Sequence, residues 1–477
     1  MGPSRSRWIT LGFAFGLAMA VGMALLFPTE GWAIPAFSRL YGKSCGACHT
    51  AFPKLNAAGE EFRLSGYHRF EGGIEVPTVA PVKIGDKIEL PGIVPLSLLI
   101  QVGWDFRDVK ERDRETGESS TTSRNSFNLE EVEIMAGATL GRHVSFFLDV
   151  PLAETEFEEG DFVLKGPEAP ELAFIALNDI LVDDLFNLKL GAIELPTAFS
   201  PMHRRLSVAP YEIYEATAAS LLGIEEDETG AVLGIENADR IFDPAASQLG
   251  AELYGNLYPE MLGVSDLIFR YNVGVTNASN REVDNNRNKA VYGRLEATYL
   301  NQSLGFFGFY AGNTLDQDRP AGFPGGDSTA WRLGPDISLR FFEENLNIFS
   351  QLLWGRDSSP TGLGVPLEYW GGFTEVDYKL PLGKPGDLLA LLRFDYVFTD
   401  KFDDVAAAEA IGAEGIRTKP RIFGVTGGLQ YFFWENFKIV TEYTFREEKE
   451  QLSADESTRE HDRVRDHIFT VRFVLVF

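Results

Sequence analysis

Leu98-Leu99-Ile100-Gln101-Val102-Gly103-Trp104-Asp105-Phe106 reads with a period of two. Leu98, Ile100, Val102, Trp104 and Phe106 fall on one face, and Gln101, Gly103 and Asp105 on the other, the mark of a strand with one apolar surface. The final segment repeats it, with Phe469, Val471, Phe473, Leu475 and Phe477 opposed by Asp466, Thr470 and Arg472. So do residues 388–399, where Leu392, Phe394, Tyr396 and Phe398 oppose Arg393, Asp395 and Thr399, and residues 437–446. Each stretch has the length a tilted strand needs to cross an outer membrane, about 9–11 residues.

The connections separate a membrane barrel from a soluble sandwich. Tight links at Gly141-Arg142, Asn301-Gln302-Ser303, Glu343-Glu344-Asn345 and Trp434-Glu435-Asn436 alternate with long polar ones at 107–126, 276–289, 400–420 and 450–463. Short periplasmic turns and long external loops are the outer-membrane pattern. The expected fold is mainly β: an antiparallel outer-membrane β-barrel of about sixteen strands over 94–477, even in number and ending on the apolar-face residue Phe477. A barrel of that size encloses an aqueous lumen, to be lined by Arg270, Arg294, Arg340, Arg393, Lys438 and Arg472. The longest connection, roughly 195–247, is expected to fold inward as a constriction or to cover the mouth. Seventy acidic residues against 43 basic ones give a net charge of −27, which excludes a nucleic-acid partner that would need a basic face.

Ahead of the barrel, Arg5 and Arg7 precede an apolar run from Ile9 to Phe27, and Gly31 and Ala33 supply small residues for cleavage after Ala33. Residues 1–33 read as a signal peptide, a retained anchor being the other reading of so long a run. The chain after it is exported. Residues 34–93 form a small unit and its linker, the linker marked by Pro77, Pro81 and Pro91.

That unit carries the most specific motif. Both cysteines of the chain lie in Cys45-Gly46-Ala47-Cys48-His49, the attachment pattern for one covalent c-type haem. Two thiols bond the haem vinyl groups, and His49 ligates iron beneath the ring. A zinc site would need a second Cys/His pair. Phe37, Leu40 and Tyr41 before the motif, and Phe52, Leu55, Gly59, Phe62 and Leu64 after it, give a helical apolar face too small to be a core unaided. For the sixth iron position, no Met lies between Cys48 and Met135, and His68 is the other His near the motif. His68 is therefore the first candidate, with an open or unusual sixth position, and Met202 or His203 from the barrel, as the alternatives.

The segment IPAFSRLYGKSCGACHTAFPKLNAAGEEFRLSGY, residues 34–67, resembles the N-terminal module of the fused cytochrome-porins of the bacterial outer membrane. That family is best known through the Fe(II)-oxidising outer-membrane cytochromes of iron bacteria. The resemblance implies one haem c on Cys45, Cys48 and His49, held on the periplasmic side or in the lumen of the barrel. It also implies electron flow from an extracellular donor, Fe(II) among the candidates, to a periplasmic cytochrome or other carrier. A haem-containing diffusion porin and outward electron transfer remain alternatives. The acidic residues Glu154, Glu156, Glu158, Glu159 and Asp161, and Glu225 to Glu228, fall in connections assigned to the outside. There they would attract cations or simply keep the surface solvated.

Overall fold

The computed structural model describes residues 36–70, 73–74, 77–85, 88–113, 117–158, 161–167, 169–199, 204–217, 220–221, 231–232, 235–236, 244–259, 266–277, 288–312, 328–359, 365–383, 386–400, 402–404, 416–418, 420–451 and 461–477. Residues 1–33, read from the sequence as a signal peptide, lie outside them, as do Glu159, Met202, His203 and Glu225 to Glu228.

Two short helices, α1 (Ala36–Tyr41) and α2 (Ala57–Leu64), flank the cysteine motif. The barrel follows as β1 (Leu96–Asp113), β2 (Ser119–Leu140), β3 (Val144–Glu158), β4 (Asp161–Lys165), β5 (Leu172–Leu177) and β6 (Asn187–Ile193). It continues as β7 (Gln248–Leu257), β8 (Leu267–Thr276), β9 (Ala290–Tyr299), β10 (Gln302–Gly312), β11 (Thr329–Phe341) and β12 (Leu346–Asp357). It ends with β13 (Leu367–Pro381), β14 (Asp387–Thr399), β15 (Arg421–Trp434), β16 (Phe437–Gln451) and β17 (His461–Val476). Both β4 and β5 pair with β3, at its far and near ends, so they form one stave. Last meets first, with Phe469 opposite Phe106 and Leu475 opposite Ile100, and sixteen antiparallel staves close.

Closure leaves no unpaired edge, which a strand needs before it can enter hydrocarbon. The outer surface is apolar: Leu295, Leu304 and Phe306 are 67%, 61% and 51% exposed. Tyr299, Phe341, Phe342 and Tyr378 stand exposed at the short-turn end, and Tyr310, Trp354, Trp370 and Phe423 farther up. Such paired aromatic girdles bound the lipid-facing band of outer-membrane barrels.

All four tight links turn where the alternation places them. The long connections at 107–126 and 450–463 are shorter than the sequence indicates. β1 and β2 continue to Asp113 and from Ser119, and Lys110 still pairs with Thr121; β16 runs to Gln451 and β17 starts at His461. Above the apolar band a strand meets water on its outer face, so the period-two signal fades while the ladder continues. Glu154 is likewise a residue of β3.

Inside, two described parts of the longest connection, 194–199 and 204–217, lie in the lumen. Arg393 donates to the carbonyls of Ala209 at 2.9 Å and Pro210 at 2.6 Å, and Gln430 donates to that of Leu206 at 2.6 Å. Glu442 accepts from the backbone N–H groups of Val208 at 2.9 Å and Ala209 at 2.8 Å. Tyr211 stacks on Phe373 with ring centroids 4.1 Å apart, and Ile213 and Tyr214 are buried with it.

Candidate functional site

The N-terminal unit packs into the short-turn end of the lumen, the periplasmic end in such barrels. Its own core is a cluster of Phe37, Tyr41, Phe62 and Tyr67; Phe37 stacks on Tyr67 at 4.9 Å and meets Phe62 edge-on at 5.3 Å. Each such pair adds about 0.5–1.5 kcal/mol beyond the area it buries. The barrel completes what so small a unit lacks. Tyr67 stacks on Phe147 of β3 at 5.9 Å, and Phe37 sits where a Cβ on Gly137 of β2 would come within 2.8 Å of its ring. Polar ties surround this contact. The Ala36 N–H donates to Ser97 Oγ at 2.7 Å, the Ala57 N–H to Glu344 at 3.0 Å, and Lys438 Nζ to the Phe52 carbonyl at 2.7 Å. Lys54 pairs with Asp377.

Cys45–Ala47 form a single 3-10 turn, and His49–Ala51 pairs with Lys54–Leu55. Asn56 ties that turn to α2. Its Oδ1 caps the helix by accepting from the Gly59 N–H at 2.8 Å, and its Nδ2 donates to the Ala47 carbonyl at 3.1 Å. Its own N–H donates to the Cys48 carbonyl at 2.9 Å. The helix lies so close that a Cβ on Gly59 would be 2.0 Å from the Cys48 carbonyl oxygen.

His49 Nδ1 lies 3.0 Å from the Pro53 carbonyl. A carbonyl only accepts, so Nδ1 carries the proton and Nε2 keeps its lone pair. Burial pushes the ring's pKa down to about 4, which keeps the imidazole neutral at neutral pH. Burial, with the Glu435 carboxylate adding to it, pushes the Cys45 thiol up to about 11.

Cys45, Cys48 and His49 all face one cavity of about 590 Å³, within the roughly 300–1,000 Å³ of cofactor sites. Phe52, Phe62, Leu99 and Val474 supply apolar walls. Arg63, Arg204 and Arg205 line it as well, Arg63 paired with Glu60 and Arg204 with Glu194, each at 2.8 Å, so the chain's own carboxylates share the positive charge that haem carboxylates would meet. Two thiols, a neutral imidazole with a free nitrogen and apolar walls fit a c-type haem.

His68 does not line this cavity. It is 2% exposed, and its Nε2 lies 3.1 Å from Asp179 Oδ2 in the turn between β5 and β6. Burial pushes His68 below its ordinary pKa against the pull of Asp179. Met135 of β2 does line the cavity, although it lies far from Cys48 along the chain. The signal was present, since Met135 continues the lumen face of Glu131 and Glu133 as an apolar residue where polar ones are the rule. The expected lumen cations point inward, Arg294 pairing with Asp336 at 2.8 Å and Arg472 with Glu130 at 2.7 Å. Glu154, expected outside, lines the cavity as well.

No protein-family model matches the chain, and no curated protein does. Among solved structures it is similar to the outer membrane channel DcaP of Acinetobacter baumannii at 10% identity and a TM-score of 0.45, over 83% of this chain and 100% of that one. It is similar to an anion-selective porin from Comamonas acidovorans at 12% identity and a TM-score of 0.46, over 80% and 99% of the two chains. It is also similar to Salmonella typhi OmpF, solved in complex with daunomycin, at 12% identity and a TM-score of 0.43, over 83% and 100%.

Proposed function

We propose that this porin-like barrel is an outer-membrane cytochrome whose one haem, bonded to Cys45 and Cys48 and ligated by His49, takes electrons from an extracellular donor, Fe(II) foremost, and yields them to a periplasmic carrier. The observation that carries this reading is the shared cavity: the complete attachment motif opens into a space bounded jointly by the N-terminal unit, the barrel wall and the inward segment. The bound haem supplies one-electron chemistry. The chain fixes the tautomer of His49 through Pro53, excludes water with aromatic walls, and offers arginines to the anionic edge of the ring. Met135, which also lines the cavity, would offer a thioether sulfur to the haem iron. A hydrocarbon layer about 30 Å thick separates donor from carrier, and placing the haem inside the barrel shortens that gap.

The closed sixteen-stave barrel favours a second reading, a solute-conducting porin in which the haem unit is a plug. Against it stands the packing of 204–217 across the lumen. Anoxic addition of Fe(II) to the purified haem-loaded protein should convert the oxidised haem spectrum to the reduced one. A spectrum unmoved by Fe(II), with porin-sized conductance in planar bilayers, would replace the first reading by the second.

A further inference from the structure

We propose that Glu133, Asp149 and Glu171 form a cation site in the lumen wall that holds the ferrous donor beside the haem cavity. This rests on the electron-transfer reading for its ligand and on separate geometry for its existence.

Barrel register assembles the three carboxylates. Asp149 of β3 stands opposite Met135 of β2, Glu133 lies two residues along the same face, and the Glu171 N–H, just ahead of β5, donates to the Asp149 carbonyl at 2.9 Å. One carboxylate oxygen from each lies within 4.8 Å of the other two. Oxygens sharing one ion at about 2.0–2.6 Å can be no more than about 5 Å apart, so a single cation can reach all three. They line the same cavity as Cys45, Cys48 and His49.

An independent observation asks for a ligand. Glu133 is 2% exposed, yet no N–H or hydroxyl among the described residues donates to its Oε1, and its nearest polar neighbours are the other carboxylates. A buried carboxylate oxygen left unmatched is costly. Glu130, which also lines the cavity, is 4% exposed; one of its oxygens pairs with Arg472 and the other is unmatched. A cation would satisfy the Glu133 oxygen, and three carboxylates select a hard ion.

Fe(II) fits that class, and its oxidation is favoured there, because hard anionic oxygens hold Fe(III) more tightly. The bound ferrous ion loses one electron and becomes ferric, and the ferric haem iron gains it and becomes ferrous. No proton moves and no covalent bond changes.

The test uses redox-silent Mn(II) with the full-length, haem-loaded protein in detergent, following loss of the free Mn(II) electron paramagnetic resonance signal. Saturable binding is expected in the wild type, weakened about tenfold or more by Glu133→Gln and by Glu171→Gln. Glu171, only partly buried, is the safeguard should Glu133→Gln misfold, with heat-modifiable gel migration reporting the barrel. Mn(II) should also slow haem reduction by Fe(II) in the wild type. Equal Mn(II) affinity in the wild type and in folded variants overturns the site. Haem that Fe(II) cannot reduce, with Mn(II) binding still sensitive to Glu133→Gln, counts against the electron-transfer reading and leaves the site standing.

Discussion

His68 Nε2 lies 3.1 Å from Asp179 Oδ2, both side chains almost wholly buried, and this pair fastens the end of the N-terminal unit to a short turn of the barrel. Around it, Asp179 also meets Arg142 at 3.3 Å and Arg69 at 3.6 Å, and Asn178 Nδ2 donates to the Gly66 carbonyl at 3.2 Å. The joint gives His68 a mechanical role, and under the proposed haem reading a side chain that lines the cavity becomes the candidate for the sixth iron position beside it.

Two substitutions separate these roles. His68→Ala should leave the haem low-spin while exposing residues 60–70 to limited proteolysis; Met135→Ala should give a high-spin or substitute-ligated haem and a shifted potential. Electron paramagnetic resonance and redox titration read both. A high-spin haem in His68→Ala with Met135→Ala unchanged would return the ligand role to His68.

Acid should loosen the same joint. Burial pushes the Asp179 carboxyl up, but the Asp184 N–H, His68, Arg69 and Arg142 outweigh it and hold its pKa below the ordinary carboxylate value. A depressed folded pKa contributes stability that is present above the unfolded value, about 3.9, and is lost as pH falls toward the folded one. Hydrogen exchange in residues 60–70 should therefore accelerate below about pH 4 in the wild type. Asp179→Asn should exchange quickly already at neutral pH; a wild-type rate in that variant would remove Asp179 from the joint.

The barrel is legible because lipid and lumen impose opposite demands on alternate residues. Leu98 to Phe106 and Phe469 to Phe477 announce their faces, and the four tight links announce where the chain turns. The Cys45 to His49 motif is legible because it is local, five consecutive residues. Glu133, Asp149 and Glu171 look like ordinary pore-wall charges in the chain, because only the register of β2 against β3, and of β3 against β5, brings them together. Met135 escaped for the same reason: its distance from Cys48 along the chain hides its place across the cavity.

Gly59→Ala should impair haem attachment. Its Cβ would fall 2.0 Å from the Cys48 carbonyl oxygen, and backbone must give way because no flexible side chain can. Overpacking of this kind costs about 1–3 kcal/mol, and here it displaces α2 from the motif. Haem-stained gels against total protein should show reduced loading at unchanged barrel migration; full loading would mean that the helix tolerates the shift.

Cys45→Ala combined with Cys48→Ala should abolish covalent haem, both thiols of the chain being in the motif, while leaving the closed ladder from β1 to β17 intact. Mass spectrometry of the intact chain and heat-modifiable migration check the two halves. Haem of unchanged mass and spectrum in the double variant would refute the attachment.

Arg393 and Glu442 grip the inward segment from opposite polarities, the guanidinium on the carbonyls of Ala209 and Pro210 and the carboxylate on the N–H groups of Val208 and Ala209. Arg393 also pairs with Asp395 at 2.7 Å and lies over the Tyr211 ring at 4.8 Å. Arg393→Ala removes these ties together and leaves Asp395 buried without its partner, a loss of about 3–5 kcal/mol for such pairs. The lumen residues around 204–217 should then loosen, and single-channel conductance should rise above that of the wild type. Covalent haem should persist, because the N-terminal unit has ties of its own to the barrel at Ser97, Thr139 and Glu435. If the wild type already conducts as freely as the variant, the inward segment is no seal, and the solute-channel reading gains the ground that the electron-transfer reading loses.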